Sequence, residues 1–221
     1  MSFIPARESA FHIRFFSLYT KWKLKRSFEQ VWIKQDYDPD EDSRTVYFLN
    51  HNSWWDGLIP LYLNEYFIHQ NARAIMEEKQ MRKHRFFSKI GAFSIDLANP
   101  RSIVRSMRYA LSSLERKKAC LFIYPEGKIT PVSESTPEFK NGLGWLYKNT
   151  ADIDFVPIGI YSHSFRSAKP ELYILIGESV DHSKSLNSII LNNNLEEDLG
   201  QILKQIRGSA GSSDEGFKPQ Y

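Results

Sequence analysis

The chain has 221 residues, of which 42% are hydrophobic and 14% aromatic, enough for one α/β domain with a full core. A net charge of +3 at pH 7 and a pI near 8.8 are too mild to argue for nucleic acid as a partner. The single cysteine, Cys120, excludes an internal disulfide and fits a reducing compartment.

The first 34 residues hold a surplus of positive charge: Arg7, Arg14, Lys21, Lys23, Lys25, Arg26 and Lys34 stand against Glu8 and Glu29, and the remainder is slightly acidic. Phe11, Phe15, Leu18 and Trp22 recur at three- and four-residue spacing, which predicts a helix or helix pair over residues 8–34. Basic residues interleaved with aromatics suit the interface of an anionic membrane. The same stripe would equally suit docking on the protein's own core. Residues 1–34 are therefore read as an amphipathic segment for membrane association, peripheral and on the cytoplasmic face. No run of 18 or more apolar residues occurs, so no transmembrane helix is expected. The N-terminus lacks the basic, apolar, small-residue order of a signal peptide.

After the acidic loop 36–43, Val46-Tyr-Phe-Leu49 reads as a buried strand and residues 56–67 as a helix, with Pro60 near its start. Between them lies Asn50-His51-Asn52-Ser53-Trp54-Trp55-Asp56. Five residues along a regular helix would point His51 and Asp56 apart, so they meet only if the chain turns between them. A carboxylate on one ring nitrogen fixes the tautomer and leaves the other free to take a proton from a hydroxyl. Ser53-x-x-Asp56 also reads as a capping box, and one carboxylate can serve both roles. His51 and Asp56 have no further ligands clustered with them, so no metal site is expected.

Short strands are predicted at 72–76 and 92–96, around an amphipathic helix over 81–90. A helix from Pro100 to about Lys117 follows, then a buried strand over 119–124 that contains Cys120, whose surroundings make it a core thiol. Tyr124-Pro125-Glu126-Gly127 leaves that strand in a tight turn, placing a carboxylate at a second strand end. A helix over 138–149, strands at 155–161 and 172–176 and a helix from 185 or 186 to 206 complete the pattern. Gly208-Ser-Ala-Gly-Ser-Ser-Asp-Glu-Gly216 opens a tail, 208–221, expected to be disordered. Strands alternating with helices predict an α/β fold with a mixed, largely parallel sheet flanked by helices. The core domain is placed at 35–207. His12, His69, His84, His163 and His182 are scattered and are read as structural or exposed.

Asn50-His51-x-Ser53-x-x-Asp56 resembles the first motif of the glycerolipid acyltransferases, the family of lysophosphatidate and glycerol-3-phosphate acyltransferases. Three further blocks resemble that family in the same order: Gly91-Ala-Phe-Ser-Ile-Asp96 with Arg101 behind it, Tyr124-Pro-Glu-Gly127 followed by Phe139-Lys140-Asn-Gly142, and Val156-Pro-Ile-Gly159. The resemblance implies a membrane-associated O-acyltransferase with His51 as general base, oriented by Asp56. The acyl donor would be a thioester of coenzyme A or acyl carrier protein, a co-substrate rather than a cofactor. It implies acceptor binding by Asn50, Ser53, Arg101, Glu126, Gly127, Lys128, Thr130 and Lys140, with Glu126 gripping acceptor hydroxyls. Backbone N–H groups near Asn52–Ser53 or Gly127 are candidates for the oxyanion.

Two positions depart from the family. Leu97 stands where an arginine usually follows the second motif's Asp, and Lys128-Ile129-Thr130 stands in place of Thr-Arg-Ser. Those arginines are credited with binding the acceptor's phosphate, for which bidentate, permanently charged donors are suited. A phosphate-free hydroxylated lipid is thus an alternative acceptor, and a water acceptor would make the protein a hydrolase. A non-catalytic lipid-binding module would need no base.

Overall fold

The computed structural model describes residues 3–131, 137–211 and 216–221. Its strands are β1 (Val31–Gln35), β2 (Thr45–Leu49), β3 (Asn71–Glu77), β4 (Ala92–Ile95), β5 (Ala119–Ile123), β6 (Asp154–His163), β7 (Glu171–Ile176) and β8 (Lys218–Pro219). They form one mixed sheet in the order β4-β3-β5-β2-β6-β7-β1-β8. The pairs from β4 through to β6 are all parallel, as is β1 with β7; β6 with β7 and β1 with β8 are antiparallel. The expected α/β architecture, largely parallel and flanked by helices, is the one observed.

All five residues of β2 and all five of β5 are buried, as unbroken apolar runs in a parallel sheet require. Their alternate side chains feed two cores. Val46, Phe48, Leu121 and Ile123 pack beneath α4 (Pro100–Leu114), α5 (Gly142–Lys148) and α6 (Ser188–Ser209), through Met107, Leu143 and Leu195 among others. Tyr47, Leu49 and Phe122 pack on the opposite face beneath α1 (Ala10–Ser27) and α2 (Ile59–Leu63), through Leu24 and Tyr62. Parallel strands joined by helices bring the C-terminal ends of β2 and β5 side by side, with Phe48 in register with Ile123.

Several boundaries differ from expectation. The N-terminal segment is not helical throughout. Residues 3–9 precede the helix: Ile4 N–H donates to Ser94 Oγ and Ile4 O accepts from Ser94 N–H, while Arg7 and Ser9 N–H donate to Ser88 O and Lys89 O. Residues 31–34, expected to be helical, belong to strand β1; Val-Trp-Ile is a β-favouring run, and its register with β7 buries Val31 and Ile33. A boundary at residue 34 therefore cuts a strand. The helix expected over 56–67 is a 3₁₀ turn at Trp54–Gly57, then α2, then a π turn at Asn64–Ile68 that ends on His69 with φ 60°. The segment 81–90 divides into α3 (Glu78–Lys83) and a 3₁₀ helix at Arg85–Ile90.

The tail is also more ordered than its composition implied. Residues 208 and 209 complete α6, while 212–215 fall outside the described residues. Phe217 is buried, β8 pairs with β1, and Gln220 N–H donates to Val31 O. Aromatic anchors at Phe217 and Tyr221 outweigh the Gly/Ser bias of the preceding stretch.

The polarity of α1 is inverted. Phe11, Phe15, Leu18 and Trp22 are all more than half exposed, while Ser17, Thr20 and Leu24 are its buried residues. The hydroxyls inside are satisfied within the helix, Ser17 on Arg14 O and Thr20 on Phe16 O, so the inner face combines two small hydroxyl residues with Leu24.

α5 and α6 meet closely at Gly144, where an added Cβ would fall on the Ser188 carbonyl and Asn192 backbone of α6. Gly144→Ala should lower the unfolding free energy by about 2 kcal/mol or more through overpacking, read as a lower urea midpoint at unchanged slope.

Candidate active site

The strand-to-helix turn after β2 is organised by one carboxylate. Asp56 is 1% exposed. Its Oδ2 accepts from His51 Nδ1 at 2.7 Å, from Asn52 N–H at 2.7 Å and from Ser53 N–H at 2.8 Å, and its Oδ1 accepts from Ser53 Oγ at 3.1 Å. The capping box and the His–Asp pair are thus one arrangement. An ionised carboxylate only accepts, so Nδ1 carries the proton and Nε2 of the neutral ring holds the lone pair. The His51 side chain keeps partial exposure and lines the cavity described below.

The loop after β5 closes on this turn. Glu126 Oε1 accepts the His51 N–H at 2.6 Å, and Thr130 N–H donates to His51 O at 2.7 Å. The Tyr124 ring lies 4.7 Å from the His51 ring, centroid to centroid, and its hydroxyl donates to Asp56 O at 2.6 Å. Burial pushes the Tyr124 hydroxyl well above its ordinary range, with the Asp56 charge adding to the shift. Burial also raises the Glu126 carboxyl, and the His51 N–H partly opposes it. Gly127 takes φ +64°, which favours glycine, and a Cβ there would press on the side-chain ends of Leu97 and Lys140.

A cavity of about 1170 Å³ opens beside the pair. His51, Ser53, Asp56, Gly127, Lys128 and Lys140 line it, with Trp54, Leu97 and Ile129 adding apolar surface. Asn50, Glu126, Thr130 and Arg101 do not line it. Asn50 is buried and clamps Ile160, donating to its O at 2.9 Å and accepting its N–H at 2.7 Å; it ties the end of β2 to β6. Thr130 meets the site through its backbone, its N–H on His51 O, and its hydroxyl is buried. Arg101 is exposed in the first turn of α4, on a helix capped by Asn99. Among the described residues, no three His, Cys, Asp or Glu side chains converge as a metal site would need.

The N–H groups named for an oxyanion are already engaged: those of Asn52 and Ser53 serve Asp56, and that of Gly127 donates to Tyr124 O at 3.1 Å. The turn's own hydrogen bonds consume the donors that the spacing appeared to free.

Sequence reasoning missed Asn52, whose side chain donates to Ile160 O at 2.7 Å, and the hydroxyl of Tyr124. Tyr124 was visible as a polar aromatic at the end of a buried strand, a place where a hydroxyl needs a partner. A second pair, His182 Nε2 and Asp198 Oδ2 at 2.6 Å, lies outside the cavity, where Tyr147 also bonds the His182 backbone.

Residues 29–161 match the family model described as acyltransferase. Among solved structures the chain is similar to the crystal structure of the 1-acyl-sn-glycerophosphate (LPA) acyltransferase PlsC from Thermotoga maritima. Identity is 15% and the TM-score 0.61, with 88% of this chain and 80% of that chain covered. A search of curated proteins returns no sequence match.

Removing the Asp56 carboxylate strands two backbone donors and the imidazole. Asp56→Ala should therefore lower the unfolding free energy by about 3 kcal/mol, measured by urea denaturation. A wild-type midpoint would show that the turn holds without it.

Proposed function

The chain belongs to the acyltransferase family, and we propose that it moves a fatty acyl group from a thioester, of coenzyme A or acyl carrier protein, to the hydroxyl of a lipid acceptor such as a lysophospholipid. The observation that carries this reading is the pairing of Asp56 with Nδ1 of His51, which leaves Nε2 free on a residue lining the cavity.

In this mechanism His51 Nε2 takes the proton of the acceptor hydroxyl as its oxygen attacks the thioester carbonyl. The new C–O bond forms and the carbonyl oxygen becomes an oxyanion. Asp56 stabilises the imidazolium that results, as in a Ser-His-Asp triad whose nucleophile is supplied by the substrate. The intermediate then collapses, the C–S bond breaks, and the thiolate leaves with the proton returned by His51. Lys128 and Lys140, both on the cavity wall, supply positive charge for an acceptor phosphate and the developing oxyanion. As ammonium groups they act as point charges rather than bidentate clamps.

A phosphate-free acceptor is the second reading, and Leu97 favours it. This apolar side chain lines the cavity beside Gly127, at the position where the resembled family usually carries a phosphate-binding arginine.

The outward aromatic face of α1 supports peripheral membrane attachment, here proposed for the cytoplasmic face. Phe11, Phe15, Leu18 and Trp22 each remain more than half exposed, and Lys21, Lys25 and Arg26 flank them as exposed cations. Aromatics with flanking lysine and arginine suit the headgroup region of an anionic bilayer. No described helix is long and apolar enough to cross a membrane.

His51→Ala should reduce acyl transfer by about 10³-fold, assayed as thiol release with ester product identified by mass spectrometry; full activity would refute the base. Lysophosphatidate against a phosphate-free hydroxylated lipid in the same assay separates the two acceptor readings, and free fatty acid as sole product would indicate hydrolysis. Replacing Phe11, Phe15, Leu18 and Trp22 together by serine spares the core and should abolish sedimentation with anionic liposomes. Unchanged sedimentation would refute attachment through α1.

A further inference from the structure

Both backbone polar groups of His51 are held by one neighbouring loop. Its N–H goes to Glu126 Oε1 at 2.6 Å and its C=O accepts from Thr130 N–H at 2.7 Å. The ring itself rests against Tyr124. The loop that supplies these contacts is anchored in turn, since Pro125 O accepts from Lys140 N–H at 2.9 Å. A carboxylate that gripped an acceptor would present an oxygen to the cavity. Glu126 is 4% exposed and is not among the residues that line it.

We propose that Glu126 is a positioning residue for the base, acting through the main chain of His51, rather than a contact for the acceptor. The inference rests on His51 being the base. The nature of the hydrogen bond defines what Glu126 must supply. Its task is to accept one N–H, which any correctly placed carbonyl oxygen does; its charge is incidental. Burial and the nearby Asp56 charge both disfavour the ionised carboxylate, a poor choice for gripping a hydroxyl through charge. A raised carboxyl in the folded state means that its ionisation weakens the fold as pH rises from the unfolded value through the folded one. An amide avoids that cost above this range, so Glu126→Gln keeps the fold and the acceptor atom together. Glu126→Ala removes the acceptor and leaves the His51 N–H unsatisfied. A displacement of the base by about 1 Å is enough to cost about 100-fold in rate.

The test compares wild type, Glu126→Gln, Glu126→Ala and His51→Ala in thioester-dependent transfer to lysophosphatidate and to a phosphate-free hydroxylated lipid, using the better acceptor for KM and kcat. The downfield proton resonance of His51 Nδ1 is followed by NMR in the same samples. The expected result is that Gln retains kcat within about threefold and Ala loses about 100-fold, both with acceptor KM within about threefold. The Nδ1 proton signal should persist in Gln and broaden or vanish in Ala. A Gln variant whose acceptor KM rises tenfold or more at unchanged kcat would overturn the proposal, and so would an Ala variant with wild-type kinetics. If Ala does not fold, the Gln variant decides alone by the same criteria. Wild-type activity in His51→Ala would instead remove the premise, an outcome read separately from the Glu126 arms.

Discussion

Asp56 Oδ2 gathers a ring N–H and two backbone N–H groups within 2.7 to 2.8 Å in a place water does not reach. Such burial of a carboxylate is tolerable only because charge-assisted hydrogen bonds replace its hydration. The same atom ends the excursion of the chain after β2, caps the 3₁₀ turn at Trp54–Gly57, and sets the tautomer of His51. Removing any one of these functions removes the others, which makes the turn a single unit. The rest of the site is arranged around it: Tyr124 binds the Asp56 carbonyl, and the cavity opens on the one ring nitrogen the carboxylate leaves free.

The parallel sheet decides what meets that turn. β2 lies between β5 and β6, and each neighbour contributes residues that lie beyond the C-terminal end of β2. From β5 comes the loop that holds the His51 backbone; from β6 comes Ile160, whose amide and carbonyl are taken up by Asn50 and Asn52. The proposed base would need a fixed place more than a large number of polar neighbours, and His51 is held mostly by hydrogen bonds to main-chain atoms.

That reliance on the main chain explains what could be read from the sequence. His51 and Asp56 were legible because side-chain chemistry and spacing identify them, and the strand-helix alternation was legible because buried parallel strands are long apolar runs. The destination of Glu126 was not legible, since a backbone N–H carries no signature of its own in the residue names. Asn50 was read as a binding residue for the same reason: its partner is the Ile160 backbone. Periodicity located the stripe on α1 but not its direction, because spacing says which residues share a face and not which face meets the sheet. β1 was read as helix because its aromatic and apolar residues extended the preceding pattern. The ordered C-terminus was masked by the Gly/Ser content of residues 208–216, although Phe217 and Tyr221 were there to be weighed.

The position of β1 in the sheet has a consequence for synthesis. Its partners are β7 and β8, and β7 is made about 140 residues after it. At about 5–20 residues per second, β1 waits on the order of ten seconds before any strand exists to pair with it. During that interval α2 and strands β2 to β6 are made, so α1 gains the elements it packs on while β1 still lacks its partners. Long-range pairing of this kind is slow to close even in a finished chain. The β1 edge therefore stays open longest, and the sheet closes on that side only when the last strands of the chain have been made.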